Sequence, residues 1–143
     1  KLLNSKEDKN ECYNNISHRF YSQQRNLKTG KTKENYKNSL TPEQYRITRE
    51  GGTEAPFTGQ YCSLFEPGSY LCICCGTPLF NSEAKYDSGS GWPDFHETII
   101  EGVIKYEDDF SSGTKQTEVK CSQCDAHLGH IFNDGPPPDF KRY

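Results

Sequence analysis

Methionine is missing from this sequence, tryptophan occurs once as Trp92, and the apolar share is only 31%. So little apolar material excludes a large or multi-core architecture; 143 residues fit one domain with a modest core. No apolar run approaches the ~20 residues needed to cross a bilayer as a helix. Over residues 41–143 basic charge is scarce, eight Lys/Arg against sixteen Asp/Glu, a balance of −8. That argues against a large phosphate-contacting surface and so against nucleic acid as a partner. Full intrachain disulfide pairing is excluded as well, because the seven cysteines are odd in number. A small polar chain with this many cysteines needs staples beyond burial, either disulfides or a metal.

Residues 1–40 reverse the charge, with nine Lys/Arg against four Asp/Glu, a balance of +5. Neither a 3.6- nor a 2-residue period persists there. Residues 1–39 are therefore expected to be a basic, mostly disordered leader or linker with at most a helix turn or two. Its charge fits the remnant of a targeting segment, although four acidic residues weaken that reading, and an upstream segment is expected ahead of Lys1. Asn15-Ile16-Ser17 forms a glycosylation triplet of a kind common by chance.

The folded part is expected from Leu40. Thr41-Pro42-Glu43-Gln44 places an N-cap, a proline at the first helical position and an acid in the first turn. The spacing predicts a helix to about Arg49, stopped by Gly51-Gly52. Phe57 to Gly68, including Cys62, reads as loop. Strands are expected at Tyr70–Ile73, Pro78–Phe80, Ile99–Tyr106, Lys115–Cys121 and Leu128–Phe132, with a hairpin loop at Ser111-Ser112-Gly113. The whole is a mainly β domain of antiparallel sheets with one or two helices ahead of it.

Two residues separate Cys72 from Cys75 and likewise Cys121 from Cys124. That spacing turns both thiolates of a pair into one tight knuckle, and two knuckles make a tetrahedral four-thiolate site suited to zinc. Such a site contributes on the order of 10 kcal/mol to folding. Three alternatives stand beside it: disulfides or free thiols, Cys74 in place of Cys75, and a site of Cys121, Cys124, His127 and His130.

Around it lie candidates for a second site. Trp92 sits in Gly89-Ser90-Gly91-Trp92-Pro93, where it either presents an aromatic wall or closes the core. Residues three apart on a regular strand point to opposite faces. For His127 and His130 to share a pocket, the backbone must bulge near Leu128-Gly129; otherwise one is buried and the other exposed. Asp134 and Arg142 complete a polar group able to surround a small ligand.

Taken together, Leu40-Thr41-Pro42-Glu43-Gln44-Tyr45, Gly52-Thr53-Glu54, Leu79-Phe80-Asn81-Ser82, Tyr86 through Pro93, Cys121 through His130, and Asn133-Asp134-Gly135-Pro136 leading to Arg142-Tyr143 resemble the methionine-R-sulfoxide reductases of B type, over about residues 40–143. The resemblance implies a fold of two small antiparallel sheets with one structural Zn²⁺ remote from the active site. It implies reduction of methionine-R-sulfoxide, protein-bound or free, through a cysteine sulfenic acid, as part of protein repair under oxidative stress. Thioredoxin or another thiol reductant would restore the enzyme. Trp92 would hold the substrate methyl group. His127 and His130 would orient and protonate the sulfoxide oxygen. Arg142 would stabilise the nucleophilic thiolate, and Asp134 would orient Arg142 or a histidine. A monomer is expected, in the cytoplasm or in an organelle such as the mitochondrion or endoplasmic reticulum.

The sequence departs from that pattern in three ways. The family's nucleophilic cysteine follows Arg-Tyr directly, where this chain has Tyr143 as its last residue; a polypeptide ending there is expected to have no turnover. Ser90 stands where many relatives carry a resolving cysteine, so Cys62 is the candidate resolver, with direct reduction as the equal alternative. Asp94 and Asp139-Phe140 replace smaller residues. Two rivals follow: a non-catalytic zinc-stabilised binding module on the same scaffold, as in Yippee-like domains, and a zinc-ribbon nucleic-acid binder, which the acidic balance opposes.

Overall fold

The computed structural model describes residues 33–143 together with the backbone of Leu3–Glu7. The remainder of the expected leader, and with it Cys12 and the Asn15 triplet, lies outside the described residues. Among the described residues no helix is long and apolar enough to cross a membrane.

Two helices open the domain, α1 (Lys33–Ser39) and α2 (Pro42–Glu50). The α2 start follows from its residues. The Thr41 hydroxyl accepts from the Gln44 amide at 3.2 Å, and the Gln44 side chain accepts from the Thr41 amide at 3.0 Å. This reciprocal pair satisfies two otherwise orphaned donors. Gly51 closes the helix in the left-handed region. α2 buries Tyr45, Ile47 and Thr48 and lies against β8 (His127–Ile131).

Two three-stranded antiparallel sheets complete the domain, the first including a strand that precedes the helices. One has the order β1–β2–β3 (Leu3–Glu7, Gly68–Cys72, Pro78–Asn81), the other β6–β7–β8 (Ile104–Asp109, Gln116–Cys121, His127–Ile131). A two-stranded ribbon, β4 (Lys85–Tyr86) with β5 (Asp94–Phe95), lies between them in sequence. The chain end ties ribbon and second sheet together: Arg142 pairs with Phe132 through two 2.9 Å bonds, and the Tyr143 amide donates to the Phe95 carbonyl at 2.9 Å. At this junction Phe80 stacks on Phe95 at 4.3 Å between centroids, with Tyr70 and Tyr143 packed around them. Phe80, Phe95, Leu79, Val103 and Val119 are fully buried and form the centre of the core. Burying each such side chain stabilises the fold by about 1.5–3 kcal/mol.

Several boundaries differ from the sequence expectation. The strand expected at Ile99–Tyr106 runs instead from Ile104 to Asp109. The apolar run of Ile99 and Ile100 is interrupted by a turn at Glu101-Gly102, and the Ile99 amide donates to the Leu79 carbonyl rather than to a ladder. β2 stops at Cys72 because the cysteine knuckle begins there, not at Ile73. β8 is shifted one residue, to His127–Ile131. Within residues 1–39, Leu3–Glu7 forms an edge strand and Lys33–Ser39 a helix.

Candidate functional site

The four cysteines of the two knuckles meet. Their sulfur atoms lie within 4.8 Å of one another, with Cys72 to Cys124 and Cys75 to Cys121 both at 3.6 Å. A disulfide needs about 2.0 Å, so these are not bridges. Four thiolates about 2.3 Å from a zinc ion at tetrahedral angles stand about 3.8 Å apart, close to what is observed. The set could hold a metal ion. Cys74 is not in it, and His127 and His130 face elsewhere, so those two alternatives fall away. The thiols also compete for protons: Cys75 is driven well below the thiol range, first by its hydrogen bond with Cys121, while Cys72 is pushed up by the same neighbours. A divalent cation removes that conflict by replacing shared protons.

The two knuckles are built alike. The Cys72 amide donates to Thr77 carbonyl and Gly76 amide to Cys72 carbonyl, both at 2.8 Å; Cys121 amide to Ala126 and Asp125 amide to Cys121 repeat this at 2.9 Å. Both turns require a left-handed residue after the second cysteine, Gly76 at φ 76° and Asp125 at φ 59°. Glycine takes this region freely, and aspartate is among the side chains that tolerate it. Arg49 of α2 donates to the Cys124 carbonyl at 2.7 Å, fastening the helix to the second knuckle.

Past Asp125 the chain enters β8, and here the required bulge is present. Val119 pairs with Gly129 but Lys120 with His127, so Leu128 is an extra residue. Gly129 adopts φ 146°. The extra residue rotates His127 onto the face of His130, and the ring centroids stand 5.7 Å apart. Both rings line a cleft of about 180 Å³ shared with Trp92, Arg142, Asp94 and Phe132. Trp92 Nε1–H donates to the Glu54 carbonyl at 3.0 Å, which fixes the ring plane from the α2–β2 loop. Gln123 and the rest of the metal-side knuckle are absent from the lining, so the two sites are separate.

Carboxylates hold the guanidinium and both imidazoles of the cleft. Asp134 grips Arg142 with two bonds of 2.8 and 3.0 Å and is itself pulled low by that guanidinium. Asp94, almost fully buried, stands 3.7 Å from Arg142 on the other side. Asp94 also accepts from the hydroxyls of Ser88 and Ser90. The two departures at positions 90 and 94 are thus one feature: a hydroxyl bonded to a carboxylate that ties the Trp92 loop toward Arg142. Glu118 Oε1 lies 2.6 Å from His127 Nδ1, and Asp109 Oδ2 lies 2.6 Å from His130 Nε2. Burial lowers the His127 pKa against the opposing pull of Glu118. His130 holds Asp109 well below the carboxylate range.

Of the residues singled out in the sequence, Trp92, His127, His130 and Arg142 share the cleft, with Asp134 paired to Arg142 at its edge. Cys62 does not line it. It lies half-buried, and its carbonyl accepts from Lys85 Nζ at 3.1 Å. Glu118, Asp109 and the Glu54 carbonyl were not foreseen. A charged residue on a strand looks like solvent face, and only the pairing of β6, β7 and β8 brings these carboxylates to histidines.

Known proteins match this sequence. The SelR domain family model matches residues 40–143. The chain is 53% identical over 119 residues to mouse methionine-R-sulfoxide reductase B3, mitochondrial, covering 83% of this chain and 47% of that protein. It is also 53% identical over 116 residues to the peptide methionine sulfoxide reductases MsrB of Acinetobacter baylyi and Hahella chejuensis, in each case 81% of this chain and 84% of the relative. It thus spans about half the length of the mouse relative and most of the bacterial ones. The chain belongs to the SelR, or MsrB, family.

Proposed function

We propose that this domain serves the reduction of methionine-R-sulfoxide, protein-bound or free, with a cysteine directly after Tyr143 as nucleophile. The reading is supported above all by the convergence of Trp92, His127, His130 and Arg142 on one cleft of side-chain size. In the step proposed, the cysteine sulfur attacks the sulfoxide sulfur. The S–O bond breaks, the oxygen passes to the cysteine as a sulfenic acid, and the thioether leaves. The histidines supply and hold the proton on the departing oxygen. Trp92 packs against the methyl group, and Arg142 favours the thiolate. A second thiol then attacks the sulfenic acid, releasing water and leaving a disulfide that thioredoxin or a similar dithiol reduces. Cys62 is the proposed second thiol. Lys85 Nζ donates to the Cys62 carbonyl, Lys85 pairs with Phe95, and Phe95 exchanges backbone bonds with Tyr143, which links the Cys62 loop to the segment around Tyr143. Zn²⁺, held by Cys72, Cys75, Cys121 and Cys124, is assigned a structural role.

The test is turnover of the R and S epimers of methyl p-tolyl sulfoxide with dithiothreitol. A polypeptide ending at Tyr143 is expected to be inactive, and one continued through the next cysteine to reduce the R epimer. Turnover by the shorter chain would move the nucleophile to one of its own cysteines. Binding of sulfoxide without turnover by the longer chain would favour the non-catalytic module. A peroxide-induced disulfide that lacks Cys62 would remove its assignment.

A further inference from the structure

The cleft holds two histidines that are chemically unlike, although the sequence offers them as a pair. We propose that Glu118 and Asp109 are positioning residues that fix His127 and His130 in opposite tautomers. The cleft is then offered Nε2 of His127 and Nδ1 of His130. The catalytic meaning of this assignment rests on the function proposed above; the tautomers themselves do not.

An ionised carboxylate only accepts hydrogen bonds. The ring nitrogen facing it therefore carries the hydrogen, and the tautomer is set by that partner. Glu118 faces Nδ1 of His127, and Asp109 faces Nε2 of His130, each at 2.6 Å. The neutral rings are thereby left with different bare nitrogens. The sheet explains the mismatch. Glu118 is the cross-strand partner of His130, yet it bonds His127 because the Leu128 bulge swings that ring onto the same face. His130 reaches past β7 to Asp109 on β6. The other Glu118 oxygen is occupied by charge: Lys120 stands at 3.6 Å from Oε2 and also meets Glu107 at 2.6 Å, which meets Lys105 at 3.1 Å, which meets Asp125 at 2.9 Å. This ladder of alternating charge runs from the second cysteine knuckle to His127 and leaves Oε1 free for the ring.

An imidazole unconstrained in water favours hydrogen on Nε2, so His127 is the diagnostic ring. The experiment is long-range ¹H–¹⁵N correlation spectroscopy of the side-chain rings, on the metal-loaded 143-residue chain at a pH where both rings are neutral. The expected spectrum shows hydrogen on Nδ1 of His127 and on Nε2 of His130. Glu118→Leu is expected to return His127 to the Nε2–H form, with the backbone amide spectrum of the core unchanged. Asp109→Ala is expected to turn the fixed His130 pattern into a mixture. Both rings showing the same tautomer in the unaltered chain would overturn the proposal, and that reading needs no variant to fold. So would a Glu118→Leu variant that keeps hydrogen on Nδ1. If the tautomers are as described but no sulfoxide is reduced by the continued polypeptide, only the functional reading fails.

Discussion

The two ends of the β7–β8 hairpin solve different problems. At the cysteine end, each group is placed by residues next to it in sequence. The knuckle turns satisfy their own amides, and the same design appears twice. At the cleft end, no group is placed by its sequence neighbours alone. Trp92 is held by Glu54, His127 by Glu118, His130 by Asp109, and Arg142 by Asp134 and Asp94. The first end is a local device whose failure costs fold. The second is an assembly of distant contributions whose failure, on the function proposed above, costs chemistry first.

The largest test of that contrast is to keep metal from the four cysteines or to remove one of them. Chelation, or Cys121→Ser, should remove stabilisation on the order of 10 kcal/mol and unfold the domain, read by circular dichroism alongside metal content. A chain that keeps its fold without metal would erase the distinction between the ends. A smaller effect is expected at Gly76. A Cβ there would meet nothing, so Gly76→Ala isolates the left-handed conformation and should cost about 1–2 kcal/mol in denaturant unfolding. Asp125→Gly at the equivalent turn should relieve that strain while losing the bond to Lys105.

The smallest effect belongs to the cleft and appears only with pH. Burial holds His127 below its ordinary value of 6.5. As pH falls, the unfolded ring therefore takes up its proton before the folded one does. The stability tied to the neutral ring is fully present above about pH 6.5 and is lost as pH drops from there through the folded value. Asp109 is also depressed, so its contribution disappears only at more acid pH, and the two windows separate. Unfolding measured between pH 7 and 5 should lose this slope in His127→Gln; an unchanged slope would mean that burial of this ring is not its source.

The same contrast explains what the sequence made legible. Cys72, Cys75, Cys121 and Cys124 were readable because the information lies within four residues each. The α2 cap was readable for the same reason, as was the bulge at Leu128, since two histidines three apart can share a face in no other way. Ile99–Val103 was misread because apolar content alone does not distinguish a strand from an irregular buried segment. Leu3–Glu7 was missed because a polar edge strand is held by backbone bonds and needs no pattern. Asp109 and Glu118 were invisible because their partners are set by strand register.

The knuckles have a mechanical consequence. β2–β3 and β7–β8 belong to different sheets, and no ladder bonds join them. The cysteine cluster, placed at the turn of each hairpin, acts as a clasp between them. With a metal ion held by the four sulfurs, separating the sheets at that end would mean breaking metal–thiolate bonds rather than sliding one apolar surface over another. The domain should therefore yield to force abruptly at the clasp.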